Sequence, residues 1–288
     1  MSTEHVLPDS NTVMYGVFGD PVRHSKSPVM MNAAFREMGI NAAYAAFQVA
    51  PAQLAAAVNA VRALKFGGVN VTIPHKVAIM NYLDEIDDSA QTAGAVNTVV
   101  NRDGRLIGFN TDGIGYVRSL LAETNAGLEL HSKTILLIGA GGAARGVAFA
   151  LAHERPKRII IANRTREKAA QLAAEVGRIA PCDGIGLTDL ADINRVDIAI
   201  NTTSVGMSPH VDDLPADPAL FCGPGSIVSD LVYNPLETKW LRAAKELGAV
   251  QHFGLGMFIY QGACALEHWT GRQAPVDTMR AAVVRSLA

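Results

Sequence analysis

The chain has 288 residues, 49% of them hydrophobic and 18% charged, with a formal net charge of −2. That length favours two ordinary domains over one large one, and the apolar content excludes a disordered chain. The near-neutral charge speaks against a nucleic-acid partner, and no apolar run approaches the ~20 residues that cross a bilayer.

In chain order, the opening MSTEHVLPDSNT is polar and is not read as a signal peptide. YGVFGD (15–20) reads as a strand, and Ser27-Pro28 opens a helix, with Ser27 as the expected cap and Pro28 at the first helical position. Gly39 closes that helix. AYAAFQV is strand-like, PAQLAAAVNAVRAL helical, and GGVNVT a short buried strand. AVNTVV and RLIGF flank Asn101-Arg102-Asp103-Gly104, a hairpin turn. A helix over 113–124 then leads into the polar junction ETNAGLELHSK.

Beyond the junction the rhythm is a regular βαβ alternation. TILLIG, RIIIAN, VDIAIN and SIVSDLV read as buried strands, with helices over GAARGVAFALAH, REKAAQLAAEVG and 237–247, and AVQHF is a short last strand. This pattern predicts an α/β protein with a doubly wound parallel sheet. The final stretch is helical and can return to the first domain. The expected domains are therefore 1–112 with 256–288, enclosing 113–255. Cys182, Cys222 and Cys264 are odd in number and far apart, so neither a disulfide framework nor a zinc knuckle is expected. No histidine pair has metal-ligand spacing, and no metal is expected. The expected location is the cytoplasm. The oligomeric state is left open, a homodimer included.

Gly139-Ala140-Gly141-Gly142-Ala143 lies between a predicted strand and a predicted helix. Glycines there permit a tight turn and let a pyrophosphate approach the helix N-terminus. An NAD site offers Asp or Glu at the end of the second strand for the ribose hydroxyls. This chain instead has Asn163-Arg164-Thr165, followed by Arg166. An arginine there suits a 2′-phosphate, so NADP is the expected cofactor.

Three further fragments gather at predicted strand ends. They are Gly19-Asp20-Pro21-Val22-Arg23-His24-Ser25-Lys26-Ser27-Pro28, Asn70-Val71-Thr72-Ile73-Pro74-His75-Lys76, and Gly108-Phe109-Asn110-Thr111-Asp112-Gly113. Capping accounts for Ser27 but leaves Ser25 without a task. Asp112 alone would pass as a helix cap, and Asn97 in GAVNT as a turn residue. Lys76 is expected in the first turn of a helix, where the helix dipole opposes a cation. That start and an adjacent carboxylate pull its protonation in opposite directions, which would poise it to exchange a proton. His75 is not assigned to acid–base work.

Taken as an ordered set, HSKSP, NVTIPHK, GAVNT, GFNTDG, GAGGAAR, NRT, NTTSVGM, YNP and FGLGMFIYQGA resemble the shikimate dehydrogenase family across almost the whole chain. The resemblance implies an N-terminal α/β substrate domain, a Rossmann-type NADP-binding domain, and a cleft between them. It also implies NADPH-dependent reduction of 3-dehydroshikimate to shikimate, a CH–OH oxidoreduction of aromatic amino acid biosynthesis. Carried over residue by residue, Ser25 and Ser27 match hydroxyls that hold the substrate carboxylate. Asn70, Thr72, Asn97 and Gln261 match ring-hydroxyl contacts, with Tyr233 nearby, and Lys76 and Asp112 match the catalytic pair. Gly139, Ala140, Gly141, Gly142 and Ala143 would cradle the pyrophosphate. Asn163, Arg164, Thr165 and Lys168 would surround the adenosine phosphate, and Met207, Gly254 and Met257 would line the nicotinamide side. Met31, where the family commonly has histidine, and Asp20, where asparagine is frequent, are the visible departures.

Two other readings compete. A quinate dehydrogenase needs more room beside the serine pair, and Ser25, Ser27 and Arg164 lean away from it toward shikimate and NADP. A nucleotide-sensing protein without turnover would have no use for Lys76 and Asp112.

Overall fold

The computed structural model describes residues 8–124 and 128–287. Part of the polar N-terminal dozen and of the expected junction lies outside the described residues. The chain divides into two units, Met1–Thr111 with Gln261–Ala288, and Asp112–Tyr260. The chain returns to the first unit at Gln261, later than the 256 expected from sequence.

The first unit runs β1 (Val13–Gly19), α1 (Ser27–Glu37), β2 (Ala42–Gln48), α2 (Leu54–Ala63), β3 (Gly68–Val71), β4 (Glu85–Ile86), α3 (Asp88–Ala93), β5 (Thr98–Arg102) and β6 (Arg105–Phe109). Its sheet has the order β2-β1-β3-β5-β6-β4. β5 is antiparallel to both neighbours, while the other pairs are parallel. The β5–β6 turn has Asp103 at φ 52 and Gly104 at φ 92. Two consecutive residues in the left-handed region give a turn whose twist matches the strands it joins. The hairpin brings both strand ends together, and Asn97 N–H donates to the Phe109 carbonyl at 3.1 Å.

One face of this sheet packs Phe18, Val69, Val71, Val99 and Leu106 against Leu54, Val58 and Val61 of α2. The other presents Val100, Ile107 and Phe109 to Trp269 on the returning segment. The indole N–H of Trp269 donates to the Val99 carbonyl at 3.0 Å, and its ring lies 4.9 Å from that of Tyr15. Gly68 sits under this indole, where a Cβ would collide with the ring and with the Val99 carbonyl.

The second unit runs α4 (Asp112–Thr124), β7 (Thr134–Ile138), α5 (Gly142–His153), β8 (Arg158–Asn163), α6 (Arg166–Val176), β9 (Cys182–Gly186), β10 (Ile198–Asn201), β11 (Ile227–Asp230), α7 (Lys239–Glu246) and β12 (Val250–His252). Every strand pair is parallel, in the order β12-β11-β10-β7-β8-β9. Ile135, Leu137, Ile159, Ile161, Ile198 and Ile200 point into one core, with α4, α5 and α6. Leu136, Ile138, Ile160, Ala162 and Ala199 point into the other, with Trp240, Leu241 and Ala244 of α7. Successive residues of a strand face opposite sides, so covering both faces makes each strand apolar throughout. Each fully buried Ile or Leu contributes roughly 1.5–3 kcal/mol, enough for these strands to fix the register.

The strand order reverses between β7 and β10, and ligands of such sheets bind beyond the carboxyl ends of the strands at that point. α8 (Gly254–Thr270) begins in the second unit and ends in the first, where α9 (Val276–Leu287) follows it. Lys26 Nζ donates to the carbonyl of Ser286 on α9 at 2.7 Å. The expected α/β architecture, with a doubly wound sheet and helices returning to the first unit, is the one that forms. Among the described residues, no helix is long and apolar enough to cross a membrane.

Candidate active site

The serine pair lies at the start of α1, where the structure corrects the capping expectation. The N-cap position belongs to Lys26, with no side-chain cap, and Ser27 is already helical. The turn closed by Ser25 N–H on the Val22 carbonyl leaves Ser25 just outside the helix. Its hydroxyl accepts from the Ser27 N–H at 3.3 Å. Ser27 is buried.

Tyr44 had no sequence signal beyond its place in a strand, yet it joins the candidate residues. The Asn32 side chain fixes its backbone, accepting from Tyr44 N–H at 2.9 Å and donating to the Tyr44 carbonyl at 2.8 Å. The Tyr44 hydroxyl donates to Asn70 Oδ1 at 2.8 Å. Asn70 Nδ2 donates to the Asn97 carbonyl and to Thr98 Oγ1, each at 3.1 Å. A carbonyl only accepts, so that bond fixes which way the Asn70 amide points. Burial raises the Tyr44 phenol well above its ordinary pKa, and it remains a neutral donor. Asn97 is 3% exposed, and its Oδ1 accepts from Thr98 Oγ1, Thr111 N–H and Thr111 Oγ1 at 3.0, 2.8 and 3.1 Å.

Lys76 is half-buried in a turn rather than in the first turn of an α-helix. The next element is a 3-10 segment, Ala78–Tyr82, so the helix-dipole reasoning does not apply to Lys76. Its position is set by its backbone, whose carbonyl accepts from Val96 N–H at 2.8 Å beside Asn97. His75 is 1% exposed and its Nε2 bonds the Val49 carbonyl at 2.7 Å, a structural tie that agrees with leaving it out of the chemistry. Half-buried Thr72 holds the same turn, donating its N–H to Phe18 O and accepting from His75 N–H, both at 2.9 Å. Hydrogen bonds within the first unit thus bring together the backbone of Lys76, the amides of Asn70 and Asn97, and the strand end at Thr111. Asp112 follows Thr111 directly as the first residue of α4, and Gln261 lies in α8 where the chain re-enters the first unit.

In the second unit, Gly139 has φ 120, in the left-handed region that favours glycine, and a Cβ there would press on Thr202 and Thr203. Gly141 is the N-cap of α5 and makes no side-chain cap bond. A Cβ on Gly141 or Gly142 would meet nothing within 4 Å. Exposed Ala143 stands in the same first turn and Ala140 is half-buried. An uncapped helix start under open space at the switch point fits a pyrophosphate. Gly139 N–H donates to the Ala162 carbonyl at 2.8 Å, placing the end of β8 beside the turn. There Asn163 Nδ2 donates to the Thr165 carbonyl at 2.9 Å. Arg166 is engaged by Asp189 at 3.0 Å, while Arg164 and Lys168 are exposed and pair with no acidic group among the described residues. That donor set fits a 2′-phosphate rather than a ribose diol.

Met207 is exposed in the loop after β10. Gly254 packs so closely on the Leu231 and Val232 carbonyls that a Cβ would clash, and Met257 rests on the core of the same unit. Tyr233 stacks on Phe258 at 5.2 Å, and burial raises its pKa.

A nucleotide-binding sheet and a separate unit rich in amide, hydroxyl and ammonium groups define the class, a dinucleotide-dependent oxidoreductase of small polar molecules. Comparison with known proteins is more specific. The family descriptions "Shikimate dehydrogenase substrate binding domain", "Shikimate / quinate 5-dehydrogenase" and "Shikimate 5'-dehydrogenase C-terminal domain" match residues 17–99, 120–210 and 254–284. The shikimate dehydrogenase (NADP(+)) of Geobacillus kaustophilus is 50% identical over 275 residues, covering 95% of this chain and 98% of its own. A crystal structure of a shikimate dehydrogenase in complex with NADP+ superposes with a TM-score of 0.89 at 44% identity, covering 98% of each chain. The Thermus thermophilus enzyme in complex with NADP(H) and shikimate gives 0.85 at 36% identity, covering 96% of this chain and 100% of that one. The chain belongs to the shikimate dehydrogenase family.

Proposed function

We propose that the protein is an NADP-dependent shikimate dehydrogenase, interconverting 3-dehydroshikimate and shikimate in aromatic amino acid biosynthesis. The observation that carries the reading is the hydrogen-bonded series Tyr44–Asn70–Asn97–Thr111, which leads from β2, tied to α1 by Asn32, to the strand end just before Asp112. None of the three cysteines forms a disulfide, which suits the reducing cytoplasm in which we place the enzyme.

NADPH, when bound, supplies the hydride. The uncapped start of α5 receives its pyrophosphate, Arg164, Thr165 and Lys168 with Asn163 receive its adenosine phosphate, and Met207, Gly254 and Met257 line the nicotinamide side. Ser25 and Ser27 donate to the substrate carboxylate, while Asn70, Thr72, Asn97 and Gln261 orient the ring hydroxyls and Tyr233 lies nearby. Lys76 gives its proton to the ketone oxygen, and its charge offsets the negative charge that builds there. Asp112 orients the ammonium and accepts from a substrate hydroxyl. In the oxidative direction Lys76 takes the proton back.

Lys76→Ala tests this. General acid–base help is worth roughly 10²–10⁴-fold, with charge stabilisation added, so turnover should fall by at least that much. Shikimate binding should survive in weakened form, and normal turnover would overturn the mechanism. Steady-state rates with shikimate and quinate, each with NADP⁺ and NAD⁺, test the specificity; a preference for quinate with NAD⁺ would overturn it.

A further inference from the structure

We infer that Asp230 is a positioning residue that sets the two loops on the nicotinamide side of the cofactor site; this rests on reading the second unit as an NADP-binding body. Asp230 ends β11 and is 1% exposed. Among the described residues it forms no ion pair. Three donors meet it instead. Asn201 Nδ2 and Val232 N–H reach Oδ1, both at 2.9 Å, and Thr238 Oγ1 reaches Oδ2 at 2.7 Å. Burial pushes its pKa up to about 6 while those donors pull it down. A buried carboxylate without a cation is a costly way to hold a strand end, so it points to a task other than stability.

Each donor leads into a loop at the carboxyl edge of the sheet. Asn201 Oδ1 accepts from Thr203 N–H and Oγ1 at 3.0 and 2.7 Å, and its Nδ2 also donates to the Val205 carbonyl at 3.1 Å. This shapes the turn that ends at Gly206, with φ 88, and Met207. Within it, Thr202 Oγ1 donates to the Ile138 carbonyl at 2.8 Å, directly beside Gly139. Val232 lies at the start of the second loop, after Leu231, and that loop carries Tyr233. Thr238 caps α7 beyond that loop, accepting from Leu241 N–H at 3.3 Å. Ser208 N–H donates to the Asn234 carbonyl at 3.1 Å and closes one loop on the other. A single carboxylate therefore sets both loops beside the switch point. The adenosine-phosphate end at Asn163–Lys168 shares none of these bonds.

That asymmetry supplies the test. Asp230→Asn keeps the volume and two acceptor bonds but loses the anion that Thr238 meets. Calorimetric titration should show its dissociation constant for NADP⁺ raised about tenfold or more, a loss of roughly 1.4 kcal/mol. The constant for 2′,5′-ADP, which reaches only the adenosine end, should stay within about twofold of the wild type. Unchanged NADP⁺ affinity would overturn the inference. So would a parallel loss of both ligands, which would make Asp230 a general anchor of the fold. If Asp230→Asn does not fold, Thr238→Val should show the same split at smaller size, and no split there would overturn it too. Failure of the wild type to bind NADP⁺ would instead overturn the proposed function.

Discussion

Tyr44→Phe removes one oxygen and keeps the ring. Its hydroxyl is the donor to Asn70 Oδ1 at 2.8 Å, and both residues are buried. A neutral hydrogen bond contributes about 1 kcal/mol net, and stranding a buried acceptor costs about 1–3 kcal/mol. A stability loss of about 1–3 kcal/mol should therefore lower the Tm by roughly 2–10 °C. The functional consequence is separate. Asn70 keeps its bonds to Asn97 and Thr98 but its oxygen loses the donor it has from Tyr44. We expect KM for shikimate to rise roughly tenfold, equivalent to 1.4 kcal/mol, with KM for NADP⁺ unchanged. The assay is steady-state oxidation of shikimate with each substrate varied in turn, beside a thermal melt. A lower Tm with an unaltered shikimate KM would refute the reasoning and leave Tyr44 a packing residue.

Two more expectations concern single positions. Gly68→Ala drives a methyl group into the Trp269 indole and the Val99 carbonyl, and overpacking of this kind costs about 1–3 kcal/mol; a denaturation midpoint equal to wild type would contradict it. Arg164→Asp should raise KM for NADP⁺ by roughly 10–100-fold, the worth of a charge-assisted hydrogen bond, and barely change that for NAD⁺. Equal losses with both cofactors would remove the phosphate-clamp role.

The parts of the fold that were readable in the sequence are those whose burial leaves a pattern. β7, β8 and β10 are covered on both faces, so their runs of Ile and Leu announce parallel strands. β9 leaves no such pattern, because Cys182–Gly186 contains Asp183 and two glycines. Gly184 is there for packing, since a Cβ would strike the α6 backbone at Ala169 and Ala170. α3, Asp88–Ala93, is too short to show a period. The helix expected at Lys76 failed because Pro74 can open a turn as readily as a helix, and the turn is held by bonds to Phe18 and Val96 that are distant in sequence. The roles given to the site residues came from the ordered motifs rather than from spacing. Tyr44 and Asp230 stayed invisible for one reason: each looks like an ordinary strand residue until its partners from other strands are known. An aspartate ending the strand IVSD, buried throughout, is the available hint.

The discontinuity of the first unit has a consequence for synthesis. Residues 112–260 form a continuous stretch and need nothing from the C-terminal segment to complete their sheet. The unit that begins first finishes last. Until Trp269 emerges, Val100, Ile107 and Phe109 have no cover and the space above Gly68 stays open. A chain truncated before Gln261 should therefore expose that strand face to chaperones, although every residue of the second unit is present.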